Sequence, residues 1–140
     1  MTQRHIALVR SSFAKMLPTT DTTAALFYAR LFAIAPYVRP LFKNDVNVQG
    51  QQFMHTLRVI VDRLDILDEN GPVFGILRRK LHSCGITNAH YDIIASAFLW
   101  TLERELGADF TEEVRSAWVA MYVSITDVMK TAEKEVHTTA

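Results

Sequence analysis

Apolar side chains recur three or four positions apart in six segments of the chain, which is the spacing of one helix face. The segments cover about residues 2–16, 22–35, 47–67, 72–85, 87–106 and 111 onward. In the last segment Val114, Trp118 and Met121 follow at intervals of four and three. No segment alternates apolar and polar residues as a half-buried strand does. The pattern predicts an all-α fold of six to seven helices, the seventh being a short turn-like piece that ends at Phe42.

Residues that break or cap helices fall between these segments. Pro18 and the TTDTT run that follows it supply a stop and then candidate N-caps for the second helix. Gly107 is a natural C-terminal stop for the fifth segment, and Thr111 is a candidate start for the last one. The connections are short, so residues 1–140 are expected to form one domain, with a polar C-terminal tail from about residue 134.

The charge balance narrows the classes of partner. Fifteen Lys and Arg balance fifteen Asp and Glu, whereas nucleic acid and anionic membranes both favour a net basic surface. A single cysteine cannot form an intramolecular disulfide. The N-terminus lacks the long apolar run of a secretory signal, and no stretch approaches 18 uncharged apolar residues. We therefore expect a cytoplasmic protein whose main partner is neither nucleic acid nor membrane.

The segment RRKLHSCG at 78–85 raises the question of chemistry, because His82 lies near the end of a short predicted helix. It is either a solvated histidine that helps to end the helix or a metal ligand. Gln49 and Phe53 are four residues apart, so a polar tip and an aromatic ring share one helix face. Singly, they would be a surface glutamine and a core aromatic. Together with His82 they suggest a crevice for a large, flat, apolar cofactor such as haem.

Three segments resemble a known family. The stretch FYARLFAIAPYVRPLF at 27–42 resembles the second helix and following turn of bacterial single-domain haemoglobins and of the globin domain of flavohaemoglobins. HYDII at 90–94 resembles the start of their penultimate helix, and FTEEVRSAWVAMY at 110–122 looks like the entry to their last helix. The similarity covers about residues 3–134. It implies a globin fold in which the helices pack around a haem crevice.

The resemblance also implies roles for single residues. Tyr28 and Gln49 would be the distal tyrosine and glutamine, which donate hydrogen bonds to a ligand on the iron. Phe42 would stack on the haem, and Phe53 would be the apolar distal contact one turn after the glutamine. His82 would be the proximal iron ligand, and the cofactor would be haem b, iron protoporphyrin IX.

Tyr91 and Glu133 match the tyrosine and glutamate that form a proximal hydrogen-bonded group with that histidine in flavohaemoglobin-like globins. A carboxylate near the imidazole N–H favours activating O₂ over merely holding it. The chain departs from the relatives by one residue here, because only Ser83 and Cys84 separate His82 from the loop glycine. This shift bears on the orientation of the imidazole ring.

The function implied is reversible binding of O₂, and also of NO and CO. The chemistry expected is a nitric oxide dioxygenase-type reaction with an external reductase, because 140 residues leave no room for a flavin domain. The alternatives are non-enzymatic oxygen storage or transport and gas sensing through a partner protein. The chain is expected to be a monomer or a homodimer.

Overall fold

The computed structural model describes residues 1–41, 46–65, 79 and 88–139, with side chains described for 1–41, 48–65, 79 and 90–126. Five α-helices occupy these ranges: α1 (Gln3–Met16), α2 (Thr20–Ile34), α3 (Val46–Asp62), α4 (Asn88–Leu106) and α5 (Glu112–Thr139). Short 3₁₀ turns follow α1 at Leu17–Thr19, α2 at Pro36–Leu41 and α4 at Gly107–Asp109. No strand occurs within the described ranges, which confirms the all-α class. The helix predicted at 72–85 lies outside them, apart from Arg79.

Local chemistry explains the helix ends. The Thr2 hydroxyl accepts a hydrogen bond from the backbone N–H of His5, and the His5 side chain accepts one from Thr2 N–H, so the pair forms a capping box at the start of α1. Gly107 ends α4 with a φ of +55°, a conformation that glycine adopts without steric strain. The Thr111 hydroxyl then accepts from Val114 N–H at 3.2 Å and caps α5. The predicted stop at Gly107 and start at Thr111 are both confirmed.

Two helix boundaries differ from the prediction. The second helix begins at Thr20 rather than about 22, because the 3₁₀ turn containing Pro18 runs directly into it. The third helix ends at Asp62, whereas the apolar stripe predicted a helix to about 67. There Arg63 N–H donates to the Ile60 carbonyl at 3.1 Å, an i→i+3 bond that tightens the chain into a turn.

The helices enclose two groups of buried side chains. In the first, α1 packs on α5, with α3 and the end of α4 closing the group. In the second, α2 packs on α4 and on the 3₁₀ turn that contains Val38. The rings of Phe53 and Phe98 pack against both groups. The two groups therefore meet along these rings and form one continuous interior.

A hydrogen-bonded triad fixes α1 against α5. The buried Trp118 indole N–H donates to the Ser12 hydroxyl at 2.8 Å, and that hydroxyl donates to the Leu8 carbonyl at 2.7 Å. Both polar side chains are thereby satisfied in the interior. Within the described ranges, no helix has a stretch both long and apolar enough to cross a bilayer.

Candidate functional site

Two residues predicted to lie on the distal side of the site meet at the contact of α2 with α3. Tyr28 is 3% exposed, and its hydroxyl donates to the main-chain carbonyl of Gln49 at 3.3 Å. Gln49 is itself buried, in the first turns of α3. That carbonyl lies inside a helix, where it also faces the N–H four residues later. The tyrosine hydroxyl thus makes an additional hydrogen bond to a carbonyl that also serves the helix.

Phe53 lies beside this pair, one turn further along α3. Its ring stacks on Phe27, with centroids 4.5 Å apart and planes 8° apart, and faces Tyr28 edge-on at 6.3 Å. Offset stacking and edge-to-face geometries are the favourable ones for aromatic pairs. Phe53 is therefore fixed between the tyrosine on one side and an apolar cavity on the other. The structure thus brings Tyr28, Gln49 and Phe53 together, and their roles toward a cofactor stay predictions.

Gly50 sets the distance between the two helices at this point. A Cβ atom added to Gly50 would lie 2.8 Å from the Cβ of Ala24 and 3.8 Å from Cε2 of Tyr28. Carbon atoms in ordinary contact lie about 3.5–4.0 Å apart. Only glycine permits this close approach, which brings the Gln49 carbonyl to the Tyr28 hydroxyl. Hydrophobic spacing along the sequence does not predict this role, although a glycine inside a helical segment is a recognisable signal of close packing.

An apolar cavity of about 190 Å³ lies between α3, α4 and α5. Its walls are almost entirely hydrocarbon and aromatic, and they include Phe53, Tyr91, Ile94, Phe98, Trp118 and Met121. Tyr91, predicted to act on the proximal side, is 5% exposed and lines this cavity near the start of α4. Concave, mostly apolar surfaces with few polar groups are typical of cofactor sites. The chemistry of the lining therefore suits an apolar ligand or the apolar edge of a larger one.

A side-chain hydrogen bond joins α4 and α5 beside the cavity. The Tyr122 hydroxyl, on α5, donates to Oδ1 of Asp92 on α4. Burial, the hydrogen bond and the negative charge of Asp92 all raise the pKa of Tyr122 above its ordinary value of 10.0. Tyr122 is also part of the cavity lining. This link between α4 and α5 was not predicted, because the two residues lie 30 positions apart.

The remaining predicted site residues fall where side chains are not described. Phe42 and His82 lie outside the described residues, as does Cys84. Glu133 lies within α5, and its side chain is outside the described set. The roles assigned to these residues therefore stay predictions.

The described residues thus form an all-α protein with a candidate ligand site, made of an apolar cavity and a buried tyrosine at the nearby helix crossing. The sequence model of the globin family matches residues 25–129. The chain therefore belongs to the globin family, as the resemblance had indicated. Family membership supports haem-based binding of a gas.

Curated relatives agree with this assignment. The chain is 27% identical over 135 residues to a flavohemoprotein of Pseudomonas aeruginosa, a match covering 94% of this chain and 34% of the relative. It is 28% identical over 132 residues to a flavohemoprotein of Vibrio cholerae, covering 91% and 33%. It is 26% identical over 153 residues to leghemoglobin-1 of Lupinus luteus, covering 96% and 97%. The chain thus spans about a third of the flavohemoproteins and nearly all of leghemoglobin-1.

Proposed function

We propose that the chain binds haem b against the cavity between α3, α4 and α5, that His82 would hold its iron, and that Tyr28 and Gln49 would face a bound O₂, NO or CO. Haem, when bound, supplies the iron to which such a gas attaches. The observation that carries the proposal is the position of Phe53, which contacts the ring of Tyr28 on one side and lines the apolar cavity on the other. The buried Tyr28 and Gln49 therefore lie one aromatic ring away from that cavity.

Tyr28 is suited to stabilising a polar diatomic ligand. Its hydroxyl is a hydrogen-bond donor held at the crossing of α2 and α3, 3.3 Å from the Gln49 carbonyl. The side-chain amide of Gln49 supplies a second donor from the same helix crossing. Each hydrogen bond contributes on the order of 1 kcal/mol or more in a site from which water is excluded. The two donors together would slow the release of O₂.

Phe53 would exclude water from the distal side, and Tyr91 would help to orient the proposed histidine ligand. The Phe53 ring, stacked on Phe27, keeps water away from the space beside Tyr28. We propose that Tyr91 and Glu133 hold the imidazole N–H of His82 in a fixed direction, since a histidine ligand is oriented by the acceptor of its second nitrogen. The buried position of Tyr91 on the cavity wall supports its share of this role.

The reaction we propose is the combination of NO with O₂ to give nitrate, which takes one electron per turnover, from an external reductase. The likeness to flavohemoproteins over the length of this chain supports it. Storage or transport of O₂ and gas sensing through a partner are the competing functions on the same fold. We also propose a cytoplasmic monomer or homodimer. A fast O₂ release that is unchanged in Tyr28→Phe would favour transport over dioxygenase chemistry.

The cofactor assignment is tested by adding hemin to the purified chain and recording absorption spectra with dithionite and with CO. His82→Ala should lose the stable ferrous and CO-bound spectra, because no axial nitrogen would remain. His55→Ala is the matched control, since His55 is exposed on α3, and it should bind hemin normally. A wild-type spectrum in His82→Ala would contradict the assignment.

The distal roles are tested by O₂ release from the haem-loaded protein in a stopped-flow instrument. Tyr28→Phe and Gln49→Leu should each release O₂ roughly five-fold faster or more, which corresponds to about 1 kcal/mol per lost hydrogen bond. Tyr37→Phe is the control, because Tyr37 is 64% exposed, and its rate should equal that of the wild type. Unchanged rates in both distal variants would mean that another group faces the gas.

A further inference from the structure

Two arginines share one tryptophan on the outer side of the contact between α2 and α4. The guanidinium carbon of Arg30 lies 5.0 Å from the centre of the Trp100 ring, and that of Arg104 lies 4.8 Å from it. Arg30 belongs to α2, and the other two residues are one turn apart on α4. The two positive charges therefore lie within about 10 Å of each other, close to the Debye length at 0.1 M salt.

Among the described side chains, no carboxylate lies within ion-pair distance of Arg30 or Arg104, although four other arginine or lysine residues do form such pairs. A guanidinium that lies over an aromatic ring keeps the N–H donors around its edge available, and these match a carboxylate in bidentate geometry. The tryptophan thus orients two cations toward solvent.

Two partly exposed apolar side chains accompany the two arginines. Trp100 is partly exposed, and Ile34, one turn after Arg30 on the same face of α2, is 40% exposed. Tryptophan and arginine are the residue types enriched at the energetic centres of protein interfaces. We call Arg30, Ile34, Trp100 and Arg104 the arginine–tryptophan surface.

We propose that the arginine–tryptophan surface docks an acidic segment of another protein, whose carboxylates bind the two guanidinium groups while an apolar side chain covers Trp100. Charge complementarity identifies this occupant. A free anion would satisfy the arginines and leave Trp100 and Ile34 in water. A second copy in a symmetric dimer would bring four arginines together, because an isologous interface places the same surface on both subunits. The proposal does not depend on haem.

The test uses the full chain labelled with ¹⁵N and the two indole N–H signals in an NMR titration. The chain has two tryptophans, and Trp118 is an internal reference because its indole N–H is buried on Ser12. The probe is a synthetic peptide with four glutamates around one leucine. The Trp100 signal, assigned from Trp100→Phe, should shift on titration, while the Trp118 signal stays in place.

Charge-reversal variants then show whether the peptide binds at the arginine–tryptophan surface or is attracted to positive charge anywhere on the protein. Arg30→Glu/Arg104→Glu should bind the peptide at least ten-fold more weakly. Arg63→Glu/Arg115→Glu has the same net charge, changes one exposed arginine in the turn after α3 and one on α5, and should retain most of the affinity. Circular dichroism checks that each variant is folded, and Arg30→Gln/Arg104→Gln replaces the first variant if it is not.

Four results would overturn the proposal. The first is an equal loss of affinity in the two charge-reversal variants, and the second is an absence of any shift at Trp100. The third is that inorganic phosphate or a single-stranded oligonucleotide shifts Trp100 as strongly as the peptide does at the same charge concentration. The fourth is a shift of Trp100 on dilution of the protein alone, which would identify a second copy as the occupant.

Discussion

Replacing Gly50 by alanine tests the geometry that places Gln49 beside Tyr28. The new Cβ would lie 2.8 Å from the Cβ of Ala24, about 1 Å short of ordinary carbon–carbon contact. Ala24 is 6% exposed, and its Cβ is fixed to the backbone, so neither atom can rotate away. The helices α2 and α3 must separate instead, and overpacking of this kind costs about 1–3 kcal/mol.

Helix propensity acts in the opposite direction. Alanine is favoured over glycine inside a helix by about 1 kcal/mol, so Gly50→Ala alone should show a net loss of up to about 2 kcal/mol. Ala24→Gly should lose about 1 kcal/mol through propensity. The double variant Ala24→Gly/Gly50→Ala exchanges the two residues, removes the clash and balances the propensities. Its free energy of unfolding should therefore return close to that of the wild type.

Urea unfolding of the four proteins measures this double-mutant cycle. A coupling energy of about 1 kcal/mol or more is expected, because residues in contact are not additive. In haem-loaded Gly50→Ala, O₂ release should also be faster, since Tyr28 and Gln49 move apart. A Gly50→Ala variant more stable than the wild type, together with additive effects of the two single changes, would show that Gly50 and Ala24 do not restrict the approach of α2 and α3.

Two further predictions concern hydrogen bonds away from the helix crossing. Ser12→Ala should lose about 1–3 kcal/mol of unfolding free energy, because it leaves the buried Trp118 indole N–H without its acceptor. Ser11→Ala, the exposed neighbour whose hydroxyl also bonds to a carbonyl of α1, should change stability by less than about 0.5 kcal/mol, and similar losses in both would contradict this account. Tyr122→Phe should be less stable than the wild type at about pH 8, and the difference between the two proteins should narrow as the pH rises above 10.0. The raised pKa means that the folded state keeps the phenol proton longer, so the contribution of the Asp92 bond is complete below the ordinary tyrosine pKa of 10.0 and is lost as pH rises through the folded-state value. A gap between the two proteins that does not narrow at alkaline pH would show that the bond contributes little.

Local signals accounted for most of the helical framework. Thr111 and Gly107 marked their boundaries correctly because capping and a positive φ depend on a few neighbouring atoms. The end of α3 at Asp62 was missed, since the apolar stripe continues beyond the point where the backbone tightens. Hydrophobic spacing predicts which face of a helix is buried, but it does not predict the residue at which the helix ends.

The candidate site required more than spacing. The helix period placed Gln49 and Phe53 on one face, but their meeting with Tyr28 came from the family resemblance. Contacts between helices, such as that of Ala24 with Gly50, depend on how two helices cross. In the sequence, the glycine inside a helical segment is the one local sign of this contact. The roles of His82, Phe42 and Glu133 are predictions that rest on the resemblance.

The rings of Phe53 and Phe98 pack against both groups of buried side chains, with centroids 5.7 Å apart. Cooperative unfolding needs each half of an interior to lose support when the other half opens. These two phenylalanines are one physical link that supports this mutual dependence, so shortening both to alanine should make unfolding less cooperative and broaden the transition.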